Sequence, residues 1–144
     1  MDVDILRNSG QALGTLIDKL SVSFVGSVDD FGFPNLKAML PPRRREGVRV
    51  FWFTTNTSSR RVAQYRANSK ACVYFCDTRL FWGVQLIGTM KVLEDTVSKE
   101  LIWREGDMMY YPGGVTDPDY CVLKFTTQRG RYYANFNSED FEVI

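Results

Sequence analysis

The stretch VRVFWFTT at residues 48–55 decides the fold, and it runs directly into NTSS at residues 56–59. Its β-branched and aromatic residues predict a strand. Apart from Arg49 this strand is apolar on both faces, so it should lie centrally in a sheet or be covered on its second face by a partner. The polar turn that follows leads into a helical pattern over residues 62–68.

The turn carries a functional signal, because Arg60 and Arg61 stand in the first turn of the predicted helix. A helix N-terminus already has a partial positive charge and unpaired N–H groups, so two cations are misplaced there. A bound phosphate would reverse this penalty, since it would accept hydrogen bonds from the N–H groups, the Ser58 and Ser59 hydroxyls and both guanidinium groups. The alternative interpretation is a solvated basic turn capped by Ser58 or Ser59.

The rest of the chain alternates short strands with turn residues. We predict a helix over residues 4–20, followed by a hairpin of strands 21–28 and 35–40. Strands 71–77 and 81–93 come next, with a bend or bulge at Gly83 or Gly88, and a helix over residues 94–104 is ended by Gly106. The last hairpin pairs strands 120–127 and 131–136 around the loop Gln128-Arg129-Gly130. The run Arg43-Arg44-Arg45 after two prolines reads as a solvated turn. Seven mostly antiparallel strands with about three helices predict a mainly β fold, a β-barrel with peripheral helices, in a single domain over residues 1–144.

Composition excludes several classes of function. With 18 basic and 17 acidic residues the net charge is +1, which predicts no nucleic-acid or membrane partner and makes any anion site a local one. No signal peptide or spanning stretch is recognisable, so we expect a cytoplasmic protein. Cys72 and Cys76 lie about 13 Å apart along a predicted strand, too far for a disulfide, and no cysteine has metal-ligand spacing.

The chain contains no histidine. This removes Ser-His-Asp and Cys-His nucleophilic systems, haem held by a proximal histidine and most catalytic zinc sites. Any chemistry must therefore come largely from a cofactor.

Several motifs, taken in order, carry a family resemblance. They are Lys37-Ala38-Met39, FTT at 53–55, Ser59-Arg60-Arg61, VQLIG at 84–88, a helix with Leu101 and Trp103, YPGG at 111–114 and DPDY at 117–120. In this order the chain resembles the pyridoxamine 5′-phosphate oxidase-like FMN-binding split barrels, especially their general stress protein branch, over nearly its whole length. Relatives in the oxidase branch use a histidine to hold their substrate, and that residue is missing here.

The resemblance implies FMN as the cofactor and a homodimer with the flavin at the subunit interface. By the same resemblance, Ser59, Arg60 and Arg61 would hold the FMN phosphate. The isoalloxazine ring would lie along Lys37, Ala38 and Met39, and Thr54 and Thr55 would contact ring or ribityl oxygens. Trp82 and Gln85 would also lie near the flavin. Lys37 is the candidate positive charge beside the N1 to O2 edge of the reduced ring.

Three functions follow as hypotheses. The first is an FMN-dependent oxidoreductase acting with a small-molecule electron donor or acceptor. The second is a flavin store or sensor without turnover, and a deazaflavin-dependent reductase on the same barrel is a variant that differs in the flavin bound. The third is a small barrel that stacks single-stranded nucleic acid on aromatic residues, against which the nearly neutral charge argues.

Overall fold

The computed structural model describes residues 11–143. Three α-helices are present in this part of the chain: Gln11–Asp18 (α1), Arg60–Ala67 (α2) and Thr96–Ile102 (α3), with short 3₁₀ helices at Glu105–Met109 and Gly114–Thr116. The strands are Ser23–Val28 (β1), Pro34–Met39 (β2), Arg44–Glu46 (β3), Val50–Asn56 (β4), Lys70–Asp77 (β5), Trp82–Leu93 (β6), Tyr120–Ala134 (β7) and Asn137–Glu142 (β8). Residues 4–10 of the first predicted helix lie outside the described residues.

The strands form one antiparallel sheet in the order β2-β1-β5-β6-β7-β4-β3, with β8 on β7. Within residues 11–143 the hydrogen-bonded path is open between β2 and β3, and the sheet curls around a buried core. The predicted mainly β split barrel is confirmed. Two long strands make the curl possible, since β6 has 12 residues and β7 has 15 and each pairs along its length with more than one neighbour.

The predicted bulge is present between β6 and β7: the register shifts between Ile87 and Gly88 of β6, and the extra residue lies on β7. Ile87 pairs with Arg129 and Gly88 with Thr127, so Gln128 is left without a partner position. At the same place β7 stops pairing with β4 and begins to pair with β8. The bulge therefore marks the point where the sheet divides.

The predicted hairpin loop at residues 128–130 is wrong, because β7 runs through it without a break. The chain reverses instead at Asn135 and Phe136, whose φ angles of 52° and 65° belong to a tight two-residue turn. Gly130 lies within β7, and a Cβ there would overlap the ring of Phe141 on β8. A glycine is therefore needed at this position for close packing against β8 and not for a turn.

The basic run also differs from its prediction as a solvated turn. Arg44–Glu46 forms β3 against β4. Arg43 is largely buried and makes a bidentate ion pair with Asp107, at 2.7 and 2.8 Å. The helix predicted over residues 94–104 ends at Ile102, and Gly106 lies inside the following 3₁₀ helix.

Two apolar clusters lie on opposite faces of β4. The main core fills the barrel and includes Phe51 and Phe53. The second lies under α3 and the segment after it, and its buried members are Val50, Trp52, Ile102, Tyr111, Tyr120 and Val122. The second face of β4 is therefore covered by the chain itself, so its apolar sequence gives no evidence for a partner subunit.

The bulge provides a test of packing. Changing Gly88 to alanine should destabilise the fold by about 1 to 3 kcal/mol, because the added Cβ would overlap the carbonyl oxygen of Thr126, which cannot rotate away. Gly106→Ala is the matched control, since nothing lies within 4 Å of its Cβ position. Urea unfolding curves of both variants measure the difference. Equal stability of the two would contradict the close approach of β6 and β7.

Candidate functional site

The turn between β4 and α2 has the geometry of a capped helix start. Ser59 is the N-cap residue, and its Oγ accepts a long hydrogen bond of 3.4 Å from the Val62 N–H. The capping interpretation is thus correct for Ser59. A hydroxyl that accepts one hydrogen bond can still donate its own proton, so capping leaves Ser59 able to meet a ligand oxygen.

Arg61 is the most informative side chain of the turn. Its Nη2 donates a long hydrogen bond of 3.4 Å to Thr55 Oγ1, which fixes the direction of the guanidinium group. Its Nε is buried and has no hydrogen-bond partner among the described residues. Buried N–H groups are almost always satisfied, so this one indicates an acceptor that residues 11–143 do not supply. Arg60 beside it is exposed.

Asp119 holds the turn between β4 and α2 from outside, a role that the sequence did not indicate. Its carboxylate accepts the Ser58 N–H at 2.9 Å and the Asn56 side-chain amide at 2.8 Å, and its carbonyl accepts the Thr57 N–H at 2.7 Å. The hydrogen bond from Asn56, then that from Ser58, lowers the pKa of Asp119. These partners lie about sixty residues apart in the chain, so only the folded structure brings them together.

The two threonines of β4 point to opposite faces, as alternate residues of a strand must. Thr55 is buried, faces the barrel core and contacts Arg61. Thr54 is half-buried and lies on the face covered by α3. Of the pair, only Thr55 is placed with Ser59 and Arg61.

The predicted ring contacts lie on β2, an edge strand that is exposed along most of its length. Lys37 is opposite Val25 on β1 and is exposed, while Met39 on the same face packs partly against the main core. Ala38 points to the other face. The three residues therefore do not present one continuous surface.

Trp82 and Gln85 occupy different surroundings. Trp82 is buried and stacks on Tyr132 with ring centroids 6.2 Å apart. Gln85 is exposed on the outer face, in a row of paired residues that runs from Ala38 through Phe24 and Tyr74 to Gln85. Three strand spacings separate Ala38 from Gln85, about 14 Å.

An open cleft lies beside this row on the outer face of β6, β7 and β8. Its volume is about 520 Å³, and the residues lining it are Gln85, Ile87, Arg129, Gly130, Arg131, Asp140, Phe141 and Glu142. Arg131 pairs with Asp140 at 2.9 Å, and both side chains are more than half exposed. The cleft offers polar groups of both signs, so it does not select an anion by charge.

The cysteines are not arranged for nucleophilic or metal chemistry. All three are free thiols, and burial raises the pKa of Cys72 and of Cys121. Within residues 11–143 no group of three acidic or cysteine side chains could hold a metal ion. No helix of this part is long and apolar enough to span a membrane.

The antiparallel split barrel defines the class of protein. A family model described as pyridoxamine 5′-phosphate oxidase like matches residues 11–143, and the chain belongs to that family. A comparison with curated proteins gives no match.

Solved structures agree with this assignment. One is a Clostridium acetobutylicum protein that is 38% identical to this chain, with a TM-score of 0.85 over 99% of this chain and 97% of that one. It is described as related to general stress protein 26 of B. subtilis, in the pyridoxinephosphate oxidase family. General stress protein 26 from Bacillus anthracis is 16% identical with a TM-score of 0.77, over 96% and 99% of the two chains. A haem binding protein from Mycobacterium smegmatis shares the fold at 13% identity and a TM-score of 0.69, over 89% of this chain and 55% of that one.

Proposed function

We propose that this protein binds FMN and uses it for hydride or electron transfer with a small-molecule donor or acceptor. The observation that carries the proposal is the buried, unpartnered Nε of Arg61 at the N-terminus of α2. A terminal phosphate would satisfy this N–H and at the same time accept from the Arg60 guanidinium and the first-turn amides. Membership of the pyridoxamine 5′-phosphate oxidase like family supports the same ligand.

The chain's own groups would bind and orient the flavin, and bound FMN would supply the redox chemistry. Arg60 and Arg61 would neutralise the charge of the phosphate, and the Ser59 hydroxyl would donate a hydrogen bond to a phosphate oxygen. Lys37, Ala38, Met39, Thr54, Thr55, Trp82 and Gln85 remain the proposed ring and ribityl contacts. Lys37 is exposed on an edge strand, so it is free to place its charge at a ligand.

Haem binding is not favoured for this chain, although one protein of the same fold is described as a haem binding protein. The similarity to the haem binding protein is 13% identity, which shows the fold alone. The chain has no histidine to serve as an axial ligand.

We also propose a homodimer, and the hairpin of β1 and β2 is the surface that supports it. Phe31, Phe33 and Leu36 are 87%, 66% and 75% exposed there, beside the free edge of β2. Three large apolar side chains exposed on one hairpin are typical of an interface.

A charge on this hairpin tests the dimer. The wild-type protein should have the mass of a dimer in light scattering at micromolar concentration, and Leu36→Glu should shift it toward the monomer, because an ionised carboxylate is costly to bury in an apolar interface. Leu80→Glu is the matched control, since Leu80 is 76% exposed in the turn between β5 and β6. A dimer unaffected by Leu36→Glu would contradict this interface.

Spectroscopy of the purified protein tests the flavin proposal. We expect a flavin absorption spectrum, release of FMN on denaturation, about one FMN per chain, and weaker binding of riboflavin and FAD than of FMN. Stopped-flow mixing with nicotinamide donors then separates an oxidoreductase, which is reduced, from a store or sensor, which is not. Release of a deazaflavin, or binding of no flavin at all, would contradict FMN as the cofactor.

A further inference from the structure

The donors of the turn between β4 and α2 fall into two sets. The Ser58 N–H and the Asn56 side-chain amide are both satisfied by the Asp119 carboxylate. Arg60 and Arg61 are not part of this arrangement, because neither forms an ion pair with a carboxylate among the described residues. One set of donors thus already holds an anion of the protein itself, while the other set is open to a ligand.

The position of Asp119 is itself fixed by the preceding loop. Its N–H donates to Asp117 Oδ1 at 2.9 Å, and Asp117 Oδ2 accepts the Gly113 N–H at 2.9 Å. The buried Lys99 donates to the Asp117 carbonyl at 3.1 Å. The backbone of Asp119 is therefore held beside the turn, and its carboxylate is oriented by the hydrogen bonds from the Ser58 N–H and the Asn56 amide.

We infer that Asp119 is a specificity-determining residue, which restricts the phosphate site at the start of α2 to a single terminal phosphate. This inference rests on the proposed FMN site. The donors that precede the two arginines in the turn are those at Ser58 and Asn56, and Asp119 occupies both, so a second phosphate group placed on that side would meet its carboxylate. Repulsion between that carboxylate and a ligand grows with the ligand's charge, so it acts more strongly on a diphosphate than on a monophosphate.

The experiment compares inorganic phosphate with inorganic pyrophosphate. Each is titrated by calorimetry into flavin-free protein, as wild type and as Asp119→Ala. The substitution should raise the affinity for pyrophosphate relative to phosphate by about fivefold to tenfold, because it removes one nearby charge and frees two donors. Any loosening of the turn weakens the binding of both ligands, so it largely cancels in the ratio of the two affinities.

Two further variants make the result decisive. Asp95→Ala is the matched control, because Asp95 likewise accepts two hydrogen bonds at a helix start, from the Ser98 N–H and Oγ–H, away from the turn. Its affinity ratio should equal that of the wild type. Asp119→Asn keeps an oxygen for the Ser58 N–H without the charge, and its ratio should shift in the same direction as that of Asp119→Ala.

The outcomes separate this inference from the proposed function. If wild type prefers FMN to riboflavin but the pyrophosphate ratio is unchanged in both Asp119 variants, Asp119 has only a structural role and the inference is overturned. If wild type binds neither phosphate nor FMN, the phosphate site itself is overturned, and the inference with it. A raised ratio in both Asp119 variants, with no change in Asp95→Ala, supports the inference.

Discussion

Replacing Arg60 and Arg61 together by alanine should weaken FMN binding by about 3 kcal/mol, or roughly 100-fold, while riboflavin binding changes little. Each guanidinium is expected to make a charge-assisted hydrogen bond to the phosphate, and such bonds contribute about 1.5 to 3 kcal/mol each. The lower end applies because Arg60 is exposed to solvent. Fluorescence titration with FMN and with riboflavin measures the two affinities separately.

The control for this double substitution is Arg49→Ala with Arg79→Ala, which removes the same charge from two exposed positions outside the turn. FMN binding should then be nearly unchanged, since neither guanidinium belongs to the turn and salt screens exposed charges. Equal losses for FMN and riboflavin in the Arg60 and Arg61 variant would contradict the phosphate assignment.

Changing Asp107 to alanine should cost about 3 to 5 kcal/mol of folding stability, because it leaves the Arg43 guanidinium buried without its counterion. The side chains of Arg43 and Asp107 are only 11% and 6% exposed, and two hydrogen bonds join them. Arg43 also donates to the Ile102 carbonyl, so the pair fastens the end of α3 to the start of β3. Urea unfolding measures the loss.

The same pair predicts a pH dependence. The hydrogen bond from Arg43 holds the pKa of Asp107 below its ordinary value of 3.8. A carboxyl whose pKa is lower in the folded state stabilises the protein above its unfolded pKa, and this contribution is lost as pH falls through the folded pKa. The stability difference between wild type and Asp107→Ala should therefore be full near neutral pH and should shrink below about pH 4.

Asp140→Ala is the control for the buried pair. Its partner Arg131 is also an arginine, but the two side chains are 75% and 56% exposed, and exposed pairs contribute about 0 to 1 kcal/mol. A loss in Asp107→Ala no larger than that in Asp140→Ala would contradict a stabilising role for the buried pair.

The sequence by itself determined the features that depend on neighbouring residues. The apolar run became β4, NTSS became the turn, Ser59 became the helix cap and Gly88 marked the bulge. Each of these depends on backbone preferences or on hydrogen bonds within a few residues. The Ser-Arg-Arg turn was recognisable for the same reason, since the helix N-terminus and its two arginines are adjacent in the chain.

The tertiary structure alone decided what depends on distant residues. Gly130 was predicted in a turn, but it lies in a strand where Phe141 on β8 packs against it. The run at residues 43–45 was predicted as solvated, but Arg43 is paired with Asp107. The attachment of Asp119 to the turn joins segments about sixty residues apart. A glycine, an arginine or an aspartate has the same local preferences whichever distant residue it contacts. Its role here was therefore set by the contacts made when the sheet curled around its core.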